Sequence, residues 1–111
     1  MVSSTLAQEV TSLHADLCSA LADPIRLLLL YALSEKSRNV TELTQELSLP
    51  QPTGSRHLKT LRERGLVHAN RQGMTVEYEL ADRRVIEALD LLRGVLRDRI
   101  QRNAILISEA E

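Results

Sequence analysis

Six polar side chains crowd a nine-residue stretch, Gln51, Thr53, Ser55, Arg56, His57 and Lys59, interrupted only by Pro52, Gly54 and Leu58. These are the groups that hydrogen-bond base edges and phosphate oxygens: amide, hydroxyl, imidazole, ammonium and the two-pronged guanidinium. Behind them Leu58 and Leu61 have the spacing of an inward helical face, so the polar groups fall in the first turns of a helix running from Gln51 or Pro52 to about Arg64. A residue set of this kind at a helix start reads DNA when a second helix and a turn hold it in place.

Both are present in the sequence. Leu43 and Leu47 give a preceding helix of about two turns its apolar stripe, and Asn39 with Glu42 forms a capping-box pattern at its start. Ser48-Leu49-Pro50 is a connector of helix-turn-helix length. Downstream, Gly65 stops the second helix, and Leu66 to Arg71 lead into a turn at Gln72-Gly73. Met74, Val76, Tyr78 and Leu80 then alternate with Thr75, Glu77 and Glu79, which predicts a returning strand with the first set buried. Residues 40–64 therefore read as a helix-turn-helix and 66–80 as its wing, with Arg71 near the hairpin tip beside a phosphate or the minor groove.

Charge supports the same interface. The 111 residues sum to −1, but residues 51–73 carry +4, while residues 1–50 carry −3 and 74–111 carry −2. The one basic segment is the segment that the pattern assigns to DNA.

With aromatic residues at 2%, the core of this single domain must be built from Leu, Ile, Val and Ala, and pairing with a second copy would enlarge it. Leu6, Val10, Leu13, Leu17 and Leu21 recur at four and three, as do Val85, Leu89, Leu92, Leu96 and Ile100. Residues 1–22 and 82–105 are thus expected to be dimerisation helices, with Ile105-Leu106-Ile107 extending the contact or fraying. Between them Asp23 caps and Pro24 opens a helix to about Leu33, whose run from Leu27 is expected to be the buried centre. The expected fold is mainly α with a small β-hairpin, a winged helix-turn-helix with helical ends forming a dimer interface.

That apolar run is too short to span a membrane, and no basic-then-apolar leader precedes it. With one cysteine, no intrachain disulfide is possible. A cytoplasmic protein is expected. No nucleophile and base stand in a recognisable arrangement and no glycine loop cradles phosphate, so an enzyme is not expected.

Several motifs in order resemble the ArsR/SmtB family of bacterial repressors: Leu21-Ala22-Asp23-Pro24-Ile25-Arg26-Leu27, Leu43-Thr44-Gln45-Glu46-Leu47, Gln51-Pro52-Thr53 with Ser55 to Leu61, and Gly65-Leu66-Val67. The resemblance covers about residues 13–100. It implies a homodimer that binds an inverted-repeat operator in double-stranded DNA and represses transcription until a signal lowers its affinity. A non-inducible partition or architectural protein, and a protein-interaction module on a winged scaffold, remain alternatives.

The chain also departs from the family. Val40 to Leu43 lack the cysteine pair of members that sense metal through that helix, and residues 82–104 contain no histidine for a last-helix zinc site. No metal or cofactor is therefore expected. Pro50 stands where a capping serine is common and Gly54 where an apolar residue is common. Glycine there should weaken the helix by up to about 1 kcal/mol relative to alanine. Cys18, with His14 one turn before it, is the remaining candidate sensor. Packing as a small hydrophobe is the favoured reading, against thiol oxidation or metal or metalloid binding with ligands from elsewhere. His57 is expected at phosphate or base, and His68 in a half-exposed structural role.

Overall fold

The computed structural model describes residues 2–110. The chain begins with α1, which runs over Ser4–Ala20 with a π-helical stretch at Val10–His14. The Ser3 hydroxyl caps it by accepting from the Leu6 amide at 3.1 Å. After a bend of 83°, α2 (Pro24–Glu35) starts where Asp23 accepts from the amides of Ile25 and Arg26. Burial alone would push the Asp23 carboxyl up, but those two amides, with His57 and Arg26 nearby, hold it below its ordinary value.

Strand β1 (Arg38–Asn39) leads directly into α3 (Val40–Leu47), whose capping box is complete. Asn39 accepts from the Glu42 amide at 2.9 Å, and the Glu42 carboxylate accepts from the Asn39 amide at 3.0 Å. The helix ends at Ser48 in the left-handed region (φ 55°), where the Leu49 amide donates back to the Thr44 carbonyl at 2.8 Å. Helix α4 (Gln51–Glu63) follows after this tight turn. Gly65 at φ +74° reverses the chain into β2 (Val67–Gln72), which pairs antiparallel with β3 (Thr75–Leu80) from Val67 opposite Leu80 to Gln72 opposite Thr75. β3 also pairs with β1, giving the order β1-β3-β2. Helix α5 (Arg84–Ala110) closes the chain.

The core lies where α2, α3, α4 and β2 converge. Leu29, Leu30, Leu43, Leu58, Leu61 and Val67 are fully buried there, joined by Ile86 and Leu89 of α5. Each such side chain contributes about 1.5–3 kcal/mol of burial, which makes this cluster the platform for α4. Tyr31 of α2 donates to Asp90 of α5 at 2.8 Å and lies under the Arg93 guanidinium at 5.3 Å, fixing the root of the last helix. Burial, then the Asp90 acceptor, raise the Tyr31 phenol above its ordinary value.

Three expectations are corrected. The hairpin turn is Gly73-Met74, one residue later than the sequence pattern placed it, and Met74 is 97% exposed. Val76 is exposed as well, because the hairpin projects beyond the body and only Tyr78 and Leu80 reach the core. Nor is α2 buried on nearly all sides: Leu28 is exposed, and Leu27 and Tyr31 are half-buried. Among the described residues no single helix is long and apolar enough to cross a membrane.

Candidate nucleic-acid interface

Pro50 caps α4 without a side-chain hydrogen bond, leaving the first-turn amides to backbone and solvent at an exposed, electropositive end. Gln51, Ser55, Arg56 and Lys59 all lie exposed on this helix, and Thr53 is half-buried at its first turn. Arg71 is exposed on β2, two residues before the Gly73-Met74 turn. One helix face and one hairpin tip therefore present the expected donors, with the hydrophobic side of α4 anchored by Leu58 and Leu61.

His57 does not belong to that face. It is buried, with its Nδ1 3.3 Å from Arg26 Nη1. The physical reason is its place in the helix: it precedes Leu58 and follows Gly54 by three residues, on the side that packs against the body. Arg26, which the charge pattern did not single out, also donates to the carbonyls of Ala20 at 2.6 Å and Ser19 at 3.1 Å.

Other contacts position α4 in ways no local pattern announces. Arg64, counted among the basic residues of the segment, pairs with Asp16 of α1 at 3.1 Å. Lys59 sits 4.0 Å from Glu63 and remains largely exposed. A Cβ on Gly54 would meet Thr44 Cγ2 at 2.3 Å, so glycine at this position is what lets α3 and α4 approach. The Thr44 hydroxyl meanwhile donates to the carbonyls of Val40 and Thr41, which fixes its methyl toward α4. Buried Arg38 ties β1 to two helices through Glu35 at 2.8 Å and through Glu46.

The candidate sensor residues stand apart from this interface. Cys18 is exposed rather than packed in the core, because Ala20 is the only residue of α1 that is buried. It lines an open cleft of about 290 Å³ with Tyr31, Leu92 and Leu96. His14 is exposed too, and among the described residues no group of three or more His, Cys, Asp or Glu is placed to hold a metal ion. His68 is exposed on β2 rather than half-exposed.

Residues 23–69 match the family profile described as bacterial regulatory protein, arsR family. Over 78 residues the chain is 35% identical to the biofilm growth-associated repressor of Xylella fastidiosa, covering 70% of this chain and 68% of that one. The chain belongs to the ArsR family. This ArsR-family chain is also 41% identical over 75 residues to the HTH-type transcriptional repressor SmtB of Mycobacterium tuberculosis. That match covers 68% of this chain and 56% of the relative, so the chain spans little more than half of that protein's length. Its fold matches the solution structure of a homodimeric winged helix-turn-helix DNA-binding domain from Mycobacterium bovis, described as a possible ArsR-family transcriptional regulator. The TM-score is 0.77 at 27% identity, covering 91% of this chain and 93% of that one. These matched proteins are regulators, not enzymes.

Proposed function

We propose that this ArsR-family protein is a homodimeric, sequence-specific repressor that acts on cytoplasmic DNA and is released from an inverted-repeat operator by a signal not yet identified. The observation that carries this reading is the exposed face of α4, where Gln51, Ser55, Arg56 and Lys59 surround an uncapped helix start on a fully buried leucine platform. Arg56 is assigned to base readout, Ser55 and Thr53 to groove or phosphate, Gln51 to the helix start, and Lys59 and Arg71 to the DNA backbone.

The dimer assignment rests on apolar exposure. Leu6, Val10 and Leu13 of α1 and Leu92, Leu96 and Ile100 of α5 are all 44% or more exposed. Their seams are covered when residues 1–22 and 82–105 pack against a second copy, and the matched winged helix-turn-helix domain from Mycobacterium bovis is homodimeric. Two recognition helices then lie roughly 34 Å apart, one turn of duplex. The repressor assignment follows the two repressor relatives.

Selection of duplexes from a random pool, followed by titration of the selected duplex and a scrambled one at fixed salt, tests the reading. A selected inverted repeat with half-sites one turn apart is the expected result. Absence of any selected sequence contradicts it and favours a protein-interaction module; binding that spreads along tandem repeats favours an architectural role.

A further inference from the structure

We propose that Arg26 and His57 form a positioning link that holds α4 in its DNA-reading orientation and makes that orientation depend on the end of α1. The inference deepens the DNA-binding reading and rests on it.

A guanidinium has donors only, so the 3.3 Å approach of Arg26 Nη1 to His57 Nδ1 makes Nδ1 the acceptor and places the ring hydrogen on Nε2. The other two prongs of the fork are engaged as well. Nε donates to the Ala20 carbonyl at 2.6 Å and Nη2 to the Ser19 carbonyl at 3.1 Å. These carbonyls close the last turn of α1, the negative end of the helix, where a cation is favoured. One side chain of α2 therefore joins the end of α1 to the middle of α4, across 31 residues of sequence to His57.

A second tie runs between the same two helices. Arg64, at the end of α4, pairs with Asp16 of α1 at 3.1 Å. His57 and Arg64 are seven residues apart, about two helical turns, and so lie on one side of α4. The exposed donors Ser55, Arg56 and Lys59 share the turns on either side of His57. A roll of α4 about its axis that breaks the Arg26 bond also moves these donors relative to the groove. A helix carrying an exposed apolar seam is thereby tied at two points to the helix carrying the DNA face, and packing of that seam acts on DNA affinity through Arg26.

The test uses the full chain and the duplex that the wild-type protein selects from a random pool. Three single variants and one double are compared for affinity on that duplex and on a scramble, with thermal melting as a check on folding. His57→Leu fills the buried space without an acceptor, and Arg26→Lys keeps the charge but cannot reach three acceptors. Each should lower the preference for the selected duplex about tenfold. His57→Asn places Oδ1 where Nδ1 stands and should keep the preference near wild type, an outcome that simple loss of packing would not produce. The double variant Arg26→Lys with His57→Leu should be no worse than the more damaging single change, since both remove the same Arg26–His57 bond. Should His57→Leu fail to fold, Arg26→Lys and His57→Asn carry the comparison. Wild-type preference in Arg26→Lys, or a loss in His57→Asn as large as in His57→Leu, overturns the link while leaving DNA binding intact. Failure of the wild-type protein to select any duplex overturns the DNA-binding reading itself.

Discussion

Thr44 and Gly54 are complementary across the turn between α3 and α4: the threonine Cγ2 occupies the space in which a Cβ on residue 54 would stand, 2.3 Å away. Helix propensity alone makes Gly54→Ala stabilising by up to about 1 kcal/mol. The contact reverses the sign, because the two helices must separate to admit the methyl. Gly54→Ala is expected to lower stability by about 1–3 kcal/mol in urea denaturation. Thr44→Ser, which keeps the hydroxyl bonds to Val40 and Thr41 and removes Cγ2, should recover most of that loss in the double variant. Additive losses from the two substitutions would show that the methyl contact is not the cause.

Arg38 is the buried cation of the fold, held by Glu35 and Glu46, with no hydrogen-bond partner at its Nε. Removing Glu46 leaves that charge short of a partner in a desolvated place. Glu46→Ala is expected to cost about 1–3 kcal/mol, reduced by the partial exposure of the glutamate. Glu63→Ala, which removes the exposed partner of Lys59, should cost under about 0.5 kcal/mol. Equal unfolding free energies for the two variants would contradict the ranking.

These two contacts show where the sequence stops being legible. Asn39 with Glu42, Asp23 with Pro24, and Gly65 declare helix ends because each device works within a few residues of chain, and all three form at those positions. Arg26, Arg38 and Arg64 are indistinguishable from surface cations in a residue count, since their partners come from other elements. His57 misleads for the same reason: polar neighbours on either side suggest a polar face, but the helical turn carries it to the buried side. Met74 and Val76 fit a strand pattern that says nothing of how far the hairpin extends past the core. Cys18, expected in the core, follows the outer part of α1 into the open.

Acid unfolding has a residue-level component at the start of α5. Arg84 donates to Asp82 from its side chain, the shortest contact being 2.7 Å, and from its backbone amide at 2.9 Å. Those bonds lower the Asp82 carboxyl from an ordinary 3.8 to about 2. A lowered carboxyl stabilises the folded state fully above its unfolded value, and the contribution is lost as pH falls from there toward about 2. Asp82→Asn should therefore melt below wild type at pH 6, with the gap narrowing as pH falls from 4 to 2. A gap that stays constant over that interval would remove Asp82 from the acid response.

The apolar seams of α1 and α5 give a prediction about assembly. Leu92, 59% exposed in the single chain, should become buried between two copies. Leu92→Glu should shift sedimentation from dimer toward monomer at micromolar concentration and weaken DNA binding in parallel. An unchanged dimer would place the interface elsewhere.

Arg56 and Arg71 should differ in what they recognise. Loss of a guanidinium at base edges costs about 1–3 kcal/mol of discrimination, so Arg56→Ala is expected to weaken the selected duplex more than a scramble. Arg71→Ala should weaken both alike and reduce the salt slope by about 1. Equal losses on both duplexes for Arg56→Ala would take it out of base readout.

The most direct measurement is a fluorescence-anisotropy titration of the reduced 111-residue chain against its selected inverted repeat and a scrambled duplex at one salt concentration. A specific regulator of this fold should prefer the repeat by at least about a thousandfold, with two chains bound per repeat. Equal affinity for the two duplexes, or saturation at one chain per duplex, would contradict the central proposal of a dimeric operator-reading repressor.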